Sequence, residues 1–398
     1  MRSVLAGSEP VLPTRHEDGA LLRLQHDSTA IDRAALFTIE STPLYTVGGA
    51  AGDPEFDLTY VNFVELLSSG GIVTQAGIGS RLLVFEADGK PERRVGRQGS
   101  GPGEFMAMAG MALMAGDTVL VADAANARLN WIDPHKGIVR TASLDAIGAR
   151  SPRFLFGVLP TGEMLFTSGG GFGGRAPDSL TRSMATVALR AVDGTTHTVL
   201  TLPDLDIAPF ETRYRGVIRA EGRPIGFSRL SRGRPWDALL VTSVGEGFRL
   251  DLWTAKGRSV GSIELPRSRR PVTAAMRDAD IRQQLARFGS GGERMVDRAE
   301  SERQVREGPY ADSLPPYRGL FVTPAGTLWA VDYVSPTDSS WSATAFRRDG
   351  AIVGRLVAPI AGFPATFGDD RVVVRSLDED GVVTLAVYRI VPVKHEIP

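Results

Sequence analysis

The stretch Val47-Gly-Gly-Ala-Ala-Gly-Asp-Pro-Glu-Phe56 returns later in the chain as Val95-Gly-Arg-Gln-Gly-Ser-Gly-Pro-Gly-Glu-Phe105. The second copy is longer by one glycine, and the two phenylalanines are 49 positions apart. A sequence that repeats every 20–50 residues is typical of architectures in which each repeat is one supersecondary unit. We therefore divide the chain into repeats of about 50 residues before assigning any single element.

Each copy of this signature is followed by β-rich runs that glycine turns separate. In the first unit the runs are 60–67, 72–75, 81–86 and 92–95, and in the second they are 108–114, 118–122, 128–132 and 138–144. The glycines of the first turn, Gly70, Gly116 and Gly162, are 46 residues apart each time. Short β-rich runs joined by tight turns predict an antiparallel meander of four strands per unit.

Four further units follow, at about 153–202, 212–265, 317–357 and 363–390, and the last of them supplies only three runs. The segment 36–47 precedes the first signature as a fourth strand precedes the second, so we expect it to complete the last unit. A single meander cannot bury both of its faces, whereas meanders stacked around an axis can. The prediction is an all-β, six-bladed β-propeller over residues 36–390, between an N-terminal extension (1–35) and a C-terminal tail (391–398).

The segment 266–314 interrupts the β pattern. Residues 274–288 are rich in helix formers, with Ile281, Leu285 and Phe288 spaced as on one helical face, and a charged run at 293–306 follows a glycine-rich break. We predict a helical hairpin inserted between blades 4 and 5.

The run from Val95 to Asp133 resembles bacterial six-bladed β-propellers of the NHL-repeat type. The resemblance rests on Gly-Pro-Gly-Glu-Phe105 and on Val121-Ala-Asp-Ala-Ala-Asn-Ala-Arg-Leu129, which contains Asp123, Asn126 and Arg128 at the family's Asp-x-x-Asn-x-Arg spacing. It implies a fold and no particular activity. From the residues themselves, we expect the two phenylalanines to wedge between blades and these polar side chains to cap local backbone.

The composition excludes several classes of protein and site. Forty-five basic and 46 acidic residues give a net charge of −1, which offers no general attraction for nucleic acid or an anionic membrane, and there is no cysteine for disulfides or thiolate ligands. No apolar run is long enough to span a bilayer. The first nine residues lack the apolar core of a signal peptide. We expect a monomer that is periplasmic or extracellular if a leader has been removed and cytoplasmic otherwise.

Sequence motifs that could indicate a cofactor or metal site match only in part. Gly169 to Gly174 fits a dinucleotide-binding pattern, but no helix follows it, so we interpret the stretch as a long loop and a candidate lid. The five histidines are far apart in sequence, and the acidic turn Asp378-Glu-Asp-Gly381 lacks the spacing of a calcium loop. We therefore predict no cofactor and no metal site.

Arginines are predicted to gather where the first strands of several blades begin, at the mouth of the central channel on the face that carries the helical insertion. The candidate ligand-binding residues are Arg153, Arg213, Arg215, Tyr317 and Arg318. Guanidinium groups bind carboxylates and phosphates in bidentate fashion. We therefore expect a non-catalytic propeller that binds a small anionic molecule or an acidic segment of a partner protein, or arginines that only pair with local carboxylates. The alternatives are a metal-dependent propeller hydrolase or lyase and an RNA-binding NHL module.

Overall fold

In a computed structural model of the chain, the residues described here are 3–19, 21–49, 54–58, 61–77, 80–144, 154–168, 177–214, 217–224, 226–227, 232–288, 298–378 and 382–393. Most of the regular structure is β. The N-terminal part contains four short strands and one helical turn: β1 (Thr14–Asp18), β2 (Leu21–Gln25), α1 (Ala30–Arg33), β3 (Leu36–Ile39) and β4 (Tyr45–Gly48).

Groups 1 and 2 are antiparallel meanders of four strands, each paired with the next in chain order. Group 1 contains β5 (Val64–Leu66), β6 (Ile72–Ala76), β7 (Arg81–Phe85) and β8 (Pro91–Val95). Group 2 contains β9 (Met108–Leu113), β10 (Val119–Asp123), β11 (Arg128–Asp133) and β12 (Gly137–Ser143). The predicted strands of both units are confirmed to within a few residues. The second strands β6 and β10 are buried along their whole length, as expected for a sheet covered on both faces.

Groups 3 and 4 are larger because each accepts extra strands. Group 3 contains β13 (Phe154–Val158), β14 (Met164–Thr167), β15 (Thr181–Arg190), β16 (Thr196–Tyr214) and β17 (Val217–Pro224). Group 4 contains β18 (Arg232–Trp236), β19 (Leu239–Ser243), β20 (Arg249–Thr254) and β21 (Ser259–Glu264), and β2 pairs in parallel with β21 while β1 pairs with β2.

The prediction that the fourth unit starts near residue 212 is wrong. Residues from Ile207 to Tyr214 pair with residues from Val217 to Pro224, so this β-rich pattern is a hairpin that extends group 3. The first strand of group 4 begins only at Arg232. The sequence pattern was ambiguous because any hairpin with alternating side chains resembles the start of a meander.

Group 5 contains β22 (Tyr317–Val322), β23 (Leu328–Asp332), β24 (Trp341–Phe346) and β25 (Ile352–Ala358). Group 6 contains β26 (Phe363–Phe367), β27 (Arg371–Leu377) and β28 (Val383–Pro392), and its fourth strand is β4 from the N-terminal part, which pairs antiparallel with β28. The N-terminal segment thus completes the last group. It does so with Tyr45–Gly48 alone, because Leu36–Ile39 lies beside β25 and the end of β28.

The first strands of the six groups contact one another in order. Contacts join β5 to β9, β9 to β13, β13 to β18, β18 to β22 and β22 to β26, and β26 returns to β5. The series of neighbours therefore closes on itself, with the first strands innermost. Apolar side chains fill the space between adjacent groups. Phe105, fully buried, packs between the sheets of groups 1 and 2, as the sequence predicted.

The loop that carries the second signature is fastened by side chains. The Asp123 carboxylate accepts hydrogen bonds from the backbone N–H groups of Met106 and Ala107 at 3.0 Å each. The Asn126 amide and the Arg128 guanidinium donate to backbone carbonyls of the loop between residues 99 and 101. These three residues therefore hold the loop in place, which confirms the predicted structural role.

Two longer helices lie between β21 and β22: α2 (Ala274–Phe288) and α3 (Arg298–Glu307). The first has the predicted bounds. The predicted start of the second, at residues 293–297, falls within 289–297, which are outside the described part. Met276 of α2 joins a small apolar cluster with Phe227 and Leu314, while the Arg303 guanidinium of α3 lies 5.2 Å from the ring centre of Phe210 in β16. Helix α3 thus packs against the extra hairpin of group 3, and α2 packs against α3 and against Phe227, which follows the hairpin.

Candidate functional site

The structure brings few of the predicted mouth residues together. Arg153 and Arg215 lie outside the described residues, as does the glycine-rich loop at 169–176. Arg213 belongs to β16 and pairs with Ile218, so its predicted place at the start of a first strand is wrong. The physical reason is the hairpin that continues group 3. The binding role of these arginines stays a prediction.

Tyr317 and Arg318 do begin a first strand, β22, but Tyr317 is not a surface residue. Its ring is 2% exposed and lies edge-on to Phe248 with 5.4 Å between the ring centres. Burial raises the pKa of its hydroxyl far above the ordinary value. The Arg318 guanidinium lies 3.7 Å from the ring centre of Phe363. This contact joins group 5 to group 6. Both side chains therefore serve packing between groups.

A cavity of about 1060 Å³ lies at the other ends of the first strands. Its walls come from all six groups, at or beside the turn from the first strand to the second: residues within 65–70, 112–117, 157–162, 234–237, 321–326 and 366–371, with Arg347 and Arg348 at the rim. We call this space the hairpin cavity. In a meander the first strand ends on the face opposite to the one where it starts, so the hairpin cavity and the predicted mouth open on opposite faces.

Glu65 is an acidic residue on the wall of the hairpin cavity, and it belongs to the strand β5. It lies between Val64 and Leu66 in β5 and is half-buried. Loss of hydration raises the pKa of its carboxyl to about 7, although Arg234 and a backbone hydrogen bond from Leu113 act in the opposite direction. A carboxyl whose pKa is raised this far, in a cavity, is a marker of a functional site.

Arg234 stands on the wall of the same cavity, in β18 of group 4. Its Nε donates to the carbonyl O of Leu320 at 3.2 Å, and its guanidinium carbon lies 5.9 Å from the ring centre of Phe321. Among the described residues, neither terminal nitrogen of Arg234 has a hydrogen-bond partner. The guanidinium is therefore fixed at one edge and has donors left for a ligand.

The charged residues at the rim of the hairpin cavity are engaged with one another. Arg348 pairs with Asp237, and the Arg371 guanidinium pairs with Asp370 at 2.9 Å. The Asp117 carboxylate accepts hydrogen bonds from the N–H and the hydroxyl of Ser68. Two of these contacts join neighbouring turns and the Arg371–Asp370 pair lies within one turn, so Glu65 and Arg234 are the charges best placed to meet a ligand.

The sequence analysis missed both residues, although one signal was available. Glu65 interrupts the apolar run of a first strand, and a charged residue inside such a run must face either solvent or a cavity. Arg234 carried no comparable signal, because the fourth unit was predicted to begin near residue 212, well before the strand Arg232–Trp236 that contains this arginine.

We also searched the described residues for metal-binding groups and for helices that could span a membrane. Among them, no group of three histidine or acidic residues is placed to hold a metal ion. Of the helices that the structure describes, none has the length and apolar character needed to cross a bilayer.

Comparisons with known proteins agree with the β architecture. Residues 53–129 match a family described as a 6-bladed beta-propeller. A search of curated protein sequences gives no significant match.

Solved structures resemble the chain along most of its length, at low identity. A member of the duf4221 family from Bacteroides vulgatus is 12% identical over 90% of this chain and 99% of that one, with a TM-score of 0.49. A gluconolactonase from Xanthomonas campestris is 14% identical over 84% and 87%, with a TM-score of 0.41. A virginiamycin B lyase from Staphylococcus aureus is 10% identical over 90% and 100%, with a TM-score of 0.42. Likenesses this distant carry no information on ligand or activity. What the comparisons support is a mostly β protein of the propeller type.

Proposed function

We propose that the chain is a six-bladed β-propeller of the NHL-repeat type, spanning residues 36–390, with a helical insertion at 266–314 between blades 4 and 5. Three observations support this: the six groups of strands, the closed series of contacts between their first strands, and the pairing of β4 with β28. The fastening of the signature loop by Asp123, Asn126 and Arg128 supports the NHL-type assignment.

We further propose that this propeller is a binding protein whose ligand is a small anionic molecule held in the hairpin cavity. The observation that carries the proposal is Arg234, whose donors face a cavity of about 1060 Å³ built from all six groups. Ligand cavities in proteins are typically of this size and combine apolar walls with a few convergent polar groups. A cavity of this volume suits a small molecule.

Two alternatives rank lower. A hydrolase or lyase is second: Glu65, with a pKa of about 7, suits proton transfer at neutral pH. A hydrolytic activity lost in Glu65→Gln while binding is retained would identify this alternative. An RNA-binding module is third, because a net charge of −1 supplies no general attraction for a polyanion.

The test is titration calorimetry at pH 6.5 with three probes: benzoate, citrate and inorganic phosphate. We expect at least one probe to bind the wild-type protein, and Arg234→Met to abolish that binding. Arg258→Met is the matched control, since Arg258 is exposed in the turn between β20 and β21 of the same sheet. Binding of none of the probes, or binding that survives in Arg234→Met, would overturn the proposal.

A further inference from the structure

Glu65 and Arg234 both line the hairpin cavity. They are near enough for the arginine to lower the pKa of the carboxyl. Within the described residues, however, there is no direct ion pair between them, and the one hydrogen bond of the Arg234 side chain goes to Leu320. Both groups line the same cavity, and the terminal nitrogens of Arg234 and the carboxyl of Glu65 are not bonded to each other.

The surroundings of Glu65 supply one cation and one backbone donor. From β9 the N–H of Leu113 bonds to it, and from β18 comes Arg234. The charged residues of the neighbouring turns are already engaged: Asp117 with Ser68, Asp370 with Arg371, and Asp369 with the backbone N–H of Ala325. A ligand that enters beside Glu65 thus meets Arg234 as the cation with unused donors.

Apolar groups make up somewhat more than half of the wall. Leu66, Leu113, Val158 and Val322 are half-buried where the first strands reach the cavity, and Phe321 lies beside the Arg234 guanidinium. Such a wall suits a ligand with an apolar body and a single acidic group.

We propose that the hairpin cavity selects a small organic monocarboxylate with an apolar body, and that its carboxylate is shared between the Arg234 guanidinium and the protonated carboxyl of Glu65. The proposal rests on the binding function proposed above and specifies its ligand class. The carboxyl O–H of Glu65 donates a hydrogen bond to one ligand oxygen, and Arg234 donates to the ligand from the other side. No covalent bond is made or broken. When Glu65 is ionised before binding, one proton is taken up from solvent for each ligand bound.

The pKa of Glu65, raised to about 7 by loss of hydration, places this proton uptake in an accessible range of pH. Below pH 6 the carboxyl already holds its proton, so affinity is independent of pH. Above pH 7 the affinity should fall about tenfold per pH unit, because each binding event must also protonate Glu65.

The experiment is titration calorimetry with benzoate between pH 5.5 and 9, in two buffers of different ionisation enthalpy at each pH. We expect the dissociation constant to be flat below pH 6 and to rise about tenfold per unit above pH 7. We also expect the difference between buffers to report uptake of about one proton at pH 8.5. Glu65→Gln, whose amide donates without titrating, should bind benzoate with nearly the same affinity at pH 6 and pH 9.

The controls separate this proposal from the binding function on which it rests. Arg258→Met should reproduce the wild-type pH profile. If binding requires Arg234 but is independent of pH, or if inorganic phosphate binds more tightly than benzoate, the monocarboxylate proposal fails while the binding function stands. If neither probe binds the wild-type protein, the monocarboxylate proposal also fails. A Glu65→Gln variant that retains the wild-type pH dependence would assign the proton to another group and overturn the proposal.

Discussion

The hydroxyl of Tyr45 donates a hydrogen bond of 2.7 Å to the carbonyl O of Gly70. Tyr45 belongs to β4, the strand that completes group 6, and Gly70 lies in the first turn of group 1. The bond therefore joins the last group of the ring to the first. The tyrosine is 6% exposed, and burial raises the pKa of its hydroxyl well above the ordinary value, so the hydroxyl remains a donor at neutral pH.

Tyr45→Phe should lower the free energy of unfolding by about 1–2 kcal/mol, since the buried carbonyl of Gly70 loses its partner. Urea unfolding followed by tryptophan fluorescence measures this loss. Tyr388→Phe is the matched control, because among the described residues the Tyr388 hydroxyl has no hydrogen-bond partner. Equal stability of the two variants would show that the Tyr45 bond does not strengthen the closure.

Removal of the closing segment 36–47 should have a far larger effect. Without Tyr45–Gly48, β28 of group 6 is left with an unpaired edge, and the buried side chains of Tyr45 and Val47 are lost from the core beside group 1. We expect the truncated protein to lose its cooperative thermal transition. A truncated chain that melts at the wild-type temperature would contradict the closure by β4.

Glu65 should make the protein less stable as the pH rises. In the unfolded chain its carboxyl has the ordinary pKa of 4.5, whereas in the folded protein the pKa is about 7, so the folded state holds more protons between these values. Stability is therefore lost as the pH rises from 4.5 to 7. The total is roughly 2–3 kcal/mol, slightly below the full linkage value because the side chain lines the cavity and is only partly buried.

Glu65→Gln should remove the loss of stability that Glu65 causes as the pH rises. The variant is expected to be more stable than the wild-type protein at pH 8 and nearly equal to it at pH 4, where both side chains are neutral. Urea unfolding of both proteins at the two pH values gives the comparison, and other titrating groups cancel in the difference. The same difference at both pH values would show that the carboxyl of Glu65 does not titrate as described.

His26 should make the protein less stable as the pH falls. Its Nε2–H donates to the carbonyl O of Gly350 at 2.8 Å, and burial lowers the pKa of the ring below the ordinary 6.5. The unfolded chain therefore takes up a proton more readily than the folded one, and the stability that the neutral ring provides is lost as the pH falls below 6.5.

His26→Leu should cost about 1–2 kcal/mol at pH 8, because the Gly350 carbonyl loses its donor. The gap between variant and wild-type protein should narrow at pH 5.5. Thermal unfolding at both pH values tests this. A gap that widens at low pH would mean that the buried ring is charged in the folded protein.

The repeat could be recognised from sequence because its turns constrain the backbone. Gly70, Gly116 and Gly162 have φ values of 93°, 71° and 89°, a conformation that glycine adopts without steric cost, so their spacing marks the same turn in three groups. A turn of this kind is determined by a few neighbouring residues. The strands between such turns were accordingly predicted close to their true bounds.

Features that depend on distant parts of the chain were harder to predict. No local pattern indicates that Leu36–Ile39 would lie beside β25, or that the β-rich residues after Ile207 would form an additional hairpin. The candidate site also depends on parts of the chain that are distant in sequence. Glu65 and Arg234 share a cavity only because groups 1 and 4 face each other across the innermost strands, and their sequence neighbours give no hint of this.

The path of the N-terminal segment sets the order in which the molecule can be assembled during synthesis. The strands β2, β3 and β4 leave the ribosome before their partners β21, β25 and β28, which belong to the second half of the chain. Groups 1 and 2 can form while these partners are still being made, whereas β2, β3 and β4 must wait with unpaired edges. Slow elongation between the two sets of strands therefore prolongs the time during which the N-terminal segment is open to wrong partners.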